Sequence, residues 1–400
     1  MSTEPFIEPR LTPCYWPELD GLRALAFFLV FAHHVEMTPS PTGNLSRLAV
    51  AFYQTISAWG WSGVDLFFVL SSFLITSLLM RERALTGQVS FALFFLRRTL
   101  RIWPLYFFFI ILTAFLIAPL AMFPTDQSHL GMLLSNFVYF SFFLGNFGVM
   151  LLPSSMIIGV FHPLWSLCVE EQFYVAWGLL FSKLRNTLYL FPIIGVLLVS
   201  TIVCRWATYE TMHDYKYFYL NTFARLDPIL GGALSAMLWL RYSSVISKIG
   251  GVLFVVATVL LSMVFFFAPP IKDNASSMVW VLSCLAISYS CLLLATLSWK
   301  PAKTFFSSPV MITMGRLTYG MYIYHSLAFV LCNRYFLCNN DASVQFWGHW
   351  CISLPMTYLL SFSSWHLLEK RFCLLKGRFT VVPSGHLVTS ARTVPSSRRL

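Results

Sequence analysis

The chain has 400 residues, of which 58% are hydrophobic and only 11% are charged, a composition far more apolar than that of soluble domains. Its formal charge of +11 would suit nucleic acid, but the lysines and arginines lie between apolar segments and form no basic face. The composition therefore excludes a soluble globular domain and predicts a multispanning membrane protein with no nucleic-acid partner.

Eleven apolar segments approach the length of about 20 residues that a membrane-spanning helix needs. They lie at 22–37, 56–80, 102–123, 130–152, 164–182, 187–204, 217–240, 250–268, 278–298, 311–333 and 347–368. Cytoplasmic loops hold most of the Lys and Arg of membrane proteins, and the chain follows this rule when 130–152 is re-entrant or lies on the membrane surface. The sequence thus predicts an all-α, polytopic membrane helix bundle of about ten transmembrane spans, with both termini cytoplasmic.

The loops between these segments are short, and no internal repeat is visible. We therefore predict one transmembrane domain at residues 15–372, followed by a cytoplasmic basic tail at 373–400 that is polar enough to be disordered. The nine cysteines form no C-x-x-C pair and no Cys/His cluster at the spacing of metal ligands. We expect them to pack between helices and predict no metal site.

The first apolar segment, "GLRALAFFLVFAHHVEM", has an arginine at one end and two histidines at the other. Arg23 and His34 are eleven positions apart, which is about three full turns, so both face the same way at a separation of about 16 Å. His33 points about 100° away and is predicted to pack. An imidazole titrates near neutral pH, which makes His34 the candidate general base.

A second basic group, in "FLRRTLRIWPLY", begins the third predicted span. Arg97 and Arg98 each lie within about one turn of Arg101. Guanidinium groups suit phosphate, although anchoring by the positive-inside rule also explains such a cluster. His34 is expected to lie about half a bilayer away on a neighbouring helix. The combination of a basic cluster with a reactive side chain at that distance favours a phosphate-binding role over anchoring alone.

Adjacent carboxylates occur in "HPLWSLCVEEQFYVAW", among aromatic residues that include Trp165 and Tyr174. Charged side chains at membrane depth are costly and mark function by default. Consecutive helical residues point about 100° apart, so only one of Glu170 and Glu171 faces a shared cavity. The spacing does not decide which one.

Other ionisable residues at membrane depth are Asp65, Arg225, Asp227 and His325. Arg225 and Asp227 are two positions apart and are predicted to offset part of each other's cost, directly or through a partner helix. A buried pair that only fixes helix packing is an equally open interpretation. His325 follows Tyr319 in "GRLTYGMYIYH", and a lone intramembrane histidine is more often a packing residue than a catalytic one.

Six stretches, in order, resemble the acyltransferase family 3, bacterial membrane O-acyltransferases. They are "LDGLRALA" at 19–26, "GVDLFFVLSSFLIT" at 63–76, "RRTLRIWPLY" at 97–106, "WSLCVEEQFY" at 165–174, "RLDPILGG" at 225–232 and "GRLTYGMYIYH" at 315–325. The chain departs from the family pattern at Ser72, where glycine is usual, and at Arg371, which follows Glu369 and Lys370 where the family's Glu-basic-Pro pattern has proline.

The resemblance implies an enzyme of the bacterial inner membrane. It would transfer an acyl group from cytoplasmic acyl-CoA to a hydroxyl of a surface or lipid-linked glycan such as O-antigen polysaccharide. Acetyl is the acyl group that we expect. Acyl-CoA would be a co-substrate, no cofactor would be bound permanently, and the partners would be the glycan acceptor and membrane lipids. Some relatives carry a fused soluble domain, and we expect this chain to act without one.

We assign roles to the matching residues on this basis. The candidate catalytic residues are His34 as the base, with Glu170, Glu171 or Asp65 orienting it or binding the sugar. The candidate acyl-CoA-binding residues are Arg97, Arg98 and Arg101 for the phosphates and Arg23 for the thioester arm. The supporting residues are Asp20, Trp165, Tyr174, Arg225, Asp227, Tyr319 and His325.

A proton- or ion-coupled transporter is the competing class, because buried carboxylates and histidines also serve as ion relays. Against it, the sequence has no inverted repeat, no paired broken helices, and an arginine cluster that a simple carrier does not require. Within the enzyme class, a macrolide, a peptidoglycan sugar or a lipid-linked precursor would leave the same signature as O-antigen.

Overall fold

The computed structural model describes residues 15–35, 47–115, 127–153, 159–184, 186–268, 275–337, 342–380 and 382. Within these ranges every regular element is a helix, which confirms the predicted all-α class. The α-helices are α1 (Pro17–His34), α2 (Arg47–Trp59), α3 (Gly63–Thr86), α4 (Phe91–Leu112), α5 (Gln127–Ser141), α6 (Gly145–Leu151), α7 (Trp165–Lys183), α8 (Leu190–Met212), α9 (Lys216–Tyr219), α10 (Leu226–Phe267), α11 (Met278–Ser298), α12 (Lys300–Phe306), α13 (Pro309–Tyr335), α14 (Ala342–Gly348), α15 (Leu354–Ser364) and α16 (Lys370–Lys376).

Five helical stretches in the described ranges are long and apolar enough to cross a membrane. They are Val50–Thr86, Phe91–Phe115, Thr187–Met212, Thr222–Phe267 and Met278–Ser298. The chain is therefore a membrane protein with several helices of spanning length. The count of ten spans and the cytoplasmic placement of both termini stay predictions.

Two regions of the chain depart from straight, continuous membrane-spanning helices. Residues 130–152 form α5 and α6, which are separated by a turn in which Phe143 has a φ of +54°. Helix α10 has 42 residues, but the backbone of Tyr242 is not helical, so the predicted spans 217–240 and 250–268 lie on either side of a kink. The segment 130–152 thus does not fold as one continuous helix; its re-entrant or interfacial placement stays a prediction.

Helix α3 lies at the centre of the bundle, where it packs against α1, α7, α10 and α11. Helix α1 packs in turn against α13. Most of the residues singled out in the sequence lie on these helices and on α4. The packing therefore brings together candidate site residues that are far apart in the sequence.

Glycines bring the start of α1 close to its neighbours. A Cβ added to Gly315 on α13 would lie 1.9 Å from the carbonyl oxygen of Asp20, and one added to Gly21 would lie 2.0 Å from that of Phe306. Real Cβ atoms do not approach backbone this closely, so only glycine allows these two contacts. They fix the end of α1 that carries Asp20 and Arg23.

Replacing Gly315 with alanine is expected to lower the free energy of unfolding by about 1–3 kcal/mol, because the added methyl group must push α1 and α13 apart. Unfolding of the purified protein in detergent micelles measures the effect. The control is Gly195→Ala on α8, where an added Cβ meets nothing within 4 Å. Helix propensity favours alanine there by about 1 kcal/mol, so equal stability of the two variants would contradict the close approach.

Candidate active site

The first turn of α1 holds Arg23 in a fixed orientation. Arg23 forms an ion pair with Asp20, whose other carboxylate oxygen accepts a hydrogen bond from the Tyr15 hydroxyl at 2.9 Å. Arg316 on α13 donates to the same hydroxyl at 3.2 Å. The side chain of Asp20 is 5% exposed and that of Arg23 is 22% exposed. Asp20 therefore acts as a buried anchor that leaves Arg23 partly accessible.

His34 and His325, here called the histidine pair, lie against each other with ring centroids 5.0 Å apart. Nδ1 of His34 lies 2.8 Å from the carbonyl oxygen of Val30, and Nδ1 of His325 lies 2.5 Å from that of Tyr322. A carbonyl only accepts, so each neutral ring carries its proton on Nδ1 and has a free lone pair on Nε2. Each histidine thus has the tautomer that a general base needs.

The two members of the pair differ in their access to solvent. His325 is wholly buried, and its Nε2 has no hydrogen-bond partner among the described residues. His34 is exposed at the end of α1. Nδ1 of His33, by contrast, lies 2.8 Å from the carbonyl oxygen of Ser57 on α2, a contact that fits its predicted packing role. His34 is therefore the member of the pair that a substrate can reach.

Glu170 and Glu171 face different neighbours, as expected for consecutive helical residues. Glu170 accepts hydrogen bonds from the Tyr174 hydroxyl at 2.6 Å and from Ser71 at 3.4 Å. Glu171 is buried and accepts one from the Trp103 indole at 3.5 Å. Its other oxygen has no hydrogen-bond partner among the described residues.

Among the residues that the structure describes, no carboxylate forms a hydrogen bond or ion pair with His34. Within the described residues neither glutamate nor Asp65 hydrogen-bonds to it, because the Val30 carbonyl already holds Nδ1. Arg98 instead interacts electrostatically with both Glu170 and Glu171. The glutamates therefore lie with the arginines of α4, and the expectation that one of these three carboxylates orients the base or binds the sugar stays a prediction.

Arg225 and Asp227 find their partners on other helices. Arg225 pairs with Asp65 of α3 at 2.9 Å, and both side chains are fully buried. Asp227 pairs with Arg205 of α8 at 2.8 Å. Each residue is therefore compensated by a partner helix, which is one of the two alternatives that the sequence left open. Arg205 lies within α8 and its side chain is 0% exposed.

Aromatic rings surround the Arg225 guanidinium. Its central carbon lies 4.5 Å from the ring centroid of Tyr219, 5.8 Å from Trp165 and 5.9 Å from Trp61. Ring faces attract a cation, so these contacts compensate part of the lost hydration of the buried charge. Trp165 thus supports an ion pair, and within the described residues its ring contacts are with Phe68 and Tyr219 and not with the histidine pair.

The arginines of α4, here called the arginine cluster (Arg97, Arg98 and Arg101), are not equivalent. Arg97 pairs with Glu82 of α3 and donates to the carbonyl of Phe379 at 3.1 Å. Arg98 lies over the ring of Tyr174 at 5.8 Å. In the described part of the chain, neither Arg98 nor Arg101 forms an ion pair. Arg97 is therefore already engaged, which makes Arg98 and Arg101 the stronger candidates for the predicted phosphate contact. The donor-binding role of all three arginines stays a prediction.

Helical structure continues past the predicted tail boundary at 373. Helix α16 ends at Lys376, and a 3-10 turn follows at Gly377–Phe379, so this part of the tail is ordered against α4. Burial, together with the charges of Arg101 and Arg98, lowers the pKa of the Lys376 ammonium to about 7. No sequence pattern singles out Lys376, because it lies in a polar segment that has the composition of a disordered tail.

One face of α3 lies between the histidine pair and the arginine cluster. Between residues 63 and 79 every α3 residue is buried except Phe67, Ser71, Leu74 and Leu78, which are partly accessible. Their spacing of four, three and four places all of them on one helix face. Phe67 contacts Tyr322 beside His325 with ring centroids 5.7 Å apart, whereas Leu78 lines a crevice with Arg98 and Lys376. The accessible face thus runs from the histidine pair to the arginine cluster.

Tyr319 on α13 forms a hydrogen bond with the backbone of α4. Its hydroxyl donates to the carbonyl oxygen of Ile102 at 2.6 Å. Glu369, which is buried and accepts a hydrogen bond from Ser364 at 3.1 Å, interacts electrostatically with Arg101. These contacts connect α13 and the segment around Glu369 to α4, and the supporting role of Tyr319 stays a prediction.

A family model for acyltransferase 3, described as an acyltransferase domain, matches residues 16–366. The chain belongs to the acyltransferase 3 family. O-acetyltransferase OatA of Staphylococcus aureus (strain NCTC 8325 / PS 47) is 28% identical over 363 residues, which are 84% of this chain and 55% of that protein. "Putative peptidoglycan O-acetyltransferase YrhL" of Bacillus subtilis (strain 168) is 26% identical over 382 residues, or 89% and 54%. The chain thus spans a little over half the length of these curated relatives, and no solved structure matches it.

The departure from the acyltransferase 3 pattern at Ser72 is accommodated on the partner helix. A Cβ on Gly232 of α10 would lie 2.1 Å from Ser72 Oγ, so the glycine provides the space that the serine occupies. Ser72 Oγ itself donates to the carbonyl oxygen of Phe68 at 2.8 Å. Close packing of α3 on α10 therefore persists with serine at this position.

Proposed function

We propose that this acyltransferase 3 protein transfers an acetyl group from acetyl-CoA, bound at the arginine cluster, to a hydroxyl of a glycan, with His34 as the general base. The observation that carries the proposal is the accessible face of α3, which links unpaired arginines to the histidine pair. A donor with phosphates at one end and a thioester at the other fits such an arrangement. The names of OatA and YrhL support acetyl as the group transferred.

Arg98 and Arg101 are the proposed ligands of the donor phosphates. Guanidinium groups bind phosphate through charge-assisted hydrogen bonds, and these two have no competing carboxylate partner within 4.0 Å among the described residues. Arg23 interacts electrostatically with Arg101 and Glu170. It would therefore lie beside the pantetheine arm as the arm passes along α3 toward the histidine pair.

His34 would act at the opposite end of that path. Its Nε2 accepts the proton of the acceptor hydroxyl while the oxygen attacks the thioester carbonyl. The carbon–sulfur bond then breaks, the acetyl group stays on the oxygen, and the CoA sulfur takes the proton from the imidazolium. Direct transfer and an acyl-enzyme route both use this base.

For the acceptor we propose only a chemical class, a glycan that offers a hydroxyl group. The name of the Bacillus relative refers to peptidoglycan, whereas the family resemblance of the motifs suggests surface polysaccharide such as O-antigen. Both offer sugar hydroxyls outside the cytoplasm, at the end of α1 where His34 is exposed. We therefore propose a glycan hydroxyl in a bacterial inner-membrane setting.

The test is transfer of label from radiolabelled acetyl-CoA to glycan by the purified protein in proteoliposomes, with peptidoglycan and O-antigen polysaccharide assayed in parallel. We expect acetylated glycan and a KM for acetyl-CoA that rises at least about tenfold in Arg98→Gln/Arg101→Gln, since each lost charge-assisted contact costs about 1.5–3 kcal/mol. The control is Arg241→Gln, an exposed arginine on α10.

Two outcomes would overturn the proposal. Flux of a solute or of protons without any acylated product would indicate the transporter class. Full transfer with an unchanged KM in the double arginine variant would remove the donor from the arginine cluster.

A further inference from the structure

We propose that Lys376 completes, with Arg98 and Arg101, a phosphate-binding site at the mouth of the path along α3. The inference rests on the proposed function for the source of the phosphate, which is the acyl-CoA donor. It assigns a ligand contact to the segment that follows the last predicted span. Arg98 and Lys376 line one crevice, together with Leu78, Glu82, Phe94 and Arg97. Arg101 does not line it but interacts electrostatically with Lys376.

The charges around this crevice are unbalanced. Glu82 is the carboxylate that lines it, and Glu82 is already paired with Arg97. Arg98 and Arg101 form no ion pair among the described residues, although Glu170 and Glu171 interact electrostatically with Arg98, and Glu369 does so with Arg101. Lys376 lies close enough to interact with both arginines. Like charges at short range repel, so an anion with two negative charges would lower the repulsion among these three cations.

The backbone holds Lys376 in this position from two sides. The hydroxyl of Thr380 donates to the carbonyl oxygen of Lys376 at 2.9 Å. Arg97 donates to the carbonyl of Phe379 at 3.1 Å, which ties the turn after α16 to α4. The ammonium therefore belongs to a structured wall of the crevice, and its side chain is partly buried there.

Titration of Lys376 provides a signature of the site. The groups that act on it or line the crevice with it are Glu82 from α3, Cys373 from α16, and Arg97, Arg98 and Arg101 from α4. Its pKa is lowered to about 7, so the ammonium is charged below that pH and neutral above it. A bound phosphate favours the charged form. Affinity is therefore highest below pH 7 and falls as the pH rises.

The experiment measures binding of CoA to the full chain in detergent by titration calorimetry at pH 6.5 and pH 8.5. We expect wild type to bind several-fold more weakly at pH 8.5. Lys376→Gln should bind about tenfold more weakly than wild type at pH 6.5, which corresponds to one charge-assisted contact. Lys376→Arg should bind well at both values, because arginine stays charged. The matched control is Lys370→Gln, which removes an exposed charge from the same helix.

Dephospho-CoA and nanodiscs of phosphatidylglycerol distinguish the sources of the phosphate. Lys376-dependent binding of CoA supports the full inference, and loss of that dependence with dephospho-CoA assigns Lys376 to the 3′-phosphate. If wild type binds no CoA but binds phosphatidylglycerol through Lys376, the phosphate site stands and the donor part of the proposed function fails. Equal CoA affinity in Lys376→Gln and wild type overturns the inference while the proposed function survives. Binding of neither ligand overturns both.

Discussion

Replacing His34 with asparagine is expected to lower kcat for acetyl transfer by about 10²–10⁴-fold, the usual contribution of a positioned general base. The asparagine amide can still donate to the Val30 carbonyl, which the Nδ1 of His34 now contacts at 2.8 Å, but it has no group in place of Nε2. The substitution thus removes the base and keeps the local hydrogen bond. Initial rates with saturating acetyl-CoA and glycan measure the effect.

The matched control is His33→Asn, on the same turn of α1. Its Nδ1 lies 2.8 Å from the carbonyl oxygen of Ser57, so asparagine preserves that contact as well, and we expect a rate within about threefold of wild type. CoA binding should be unchanged in both variants, because the arginine cluster lies at the other end of the path.

His325→Asn completes the series and decides between the two histidines. If His34→Asn retains the wild-type rate whereas His325→Asn is inactive, the base is the buried member of the pair, and His34 is a packing residue. If both are inactive, the pair shares the proton, which is compatible with ring centroids 5.0 Å apart. Full activity in both variants would remove the histidine pair from the chemistry.

Features that depend on one helix could be predicted from the sequence. Helical geometry alone relates Arg23 to His34 and separates Glu170 from Glu171, and the structure keeps both relationships. The helical class also follows from composition, because only helices or closed barrels satisfy backbone hydrogen bonds in lipid. These predictions need no knowledge of which helices are neighbours.

Features that depend on pairs of helices could not be predicted. Asp65 and Arg225 are 160 positions apart, and no spacing rule shows that they meet at 2.9 Å. The pairing of Arg205 with Asp227 at 2.8 Å is equally hidden, because the positive-inside rule counts charges and does not show which of them meets a buried carboxylate. Lys376 was overlooked for a related reason: a polar, basic segment has the composition of a disordered tail, and only its contacts with α4 make it part of the site.

Replacing Arg225 with methionine is expected to lower the free energy of unfolding by about 3–5 kcal/mol, because it leaves Asp65 as an uncompensated buried charge. Both side chains are 0% exposed. The oxygens of Asp65 have no hydrogen-bond partner among the described residues, so once the guanidinium is gone the carboxylate keeps only a longer-range attraction to Arg205. Unfolding in mixed detergent micelles measures the loss. Arg241→Met, on the exposed part of the same helix, should change stability by less than about 0.5 kcal/mol.

The double variant Asp65→Asn/Arg225→Met tests whether the pair is a packing device or part of the chemistry. Removing both charges eliminates the desolvation cost of each, so we expect it to recover at least half of the stability lost in Arg225→Met. If the pair serves packing, acetyl transfer returns together with stability, since the described contacts place Asp65 against Arg225 and not against His34. A double variant that unfolds like wild type but transfers no acetyl group would instead place Asp65 in the reaction, and the candidate role that its depth in the membrane first suggested would stand.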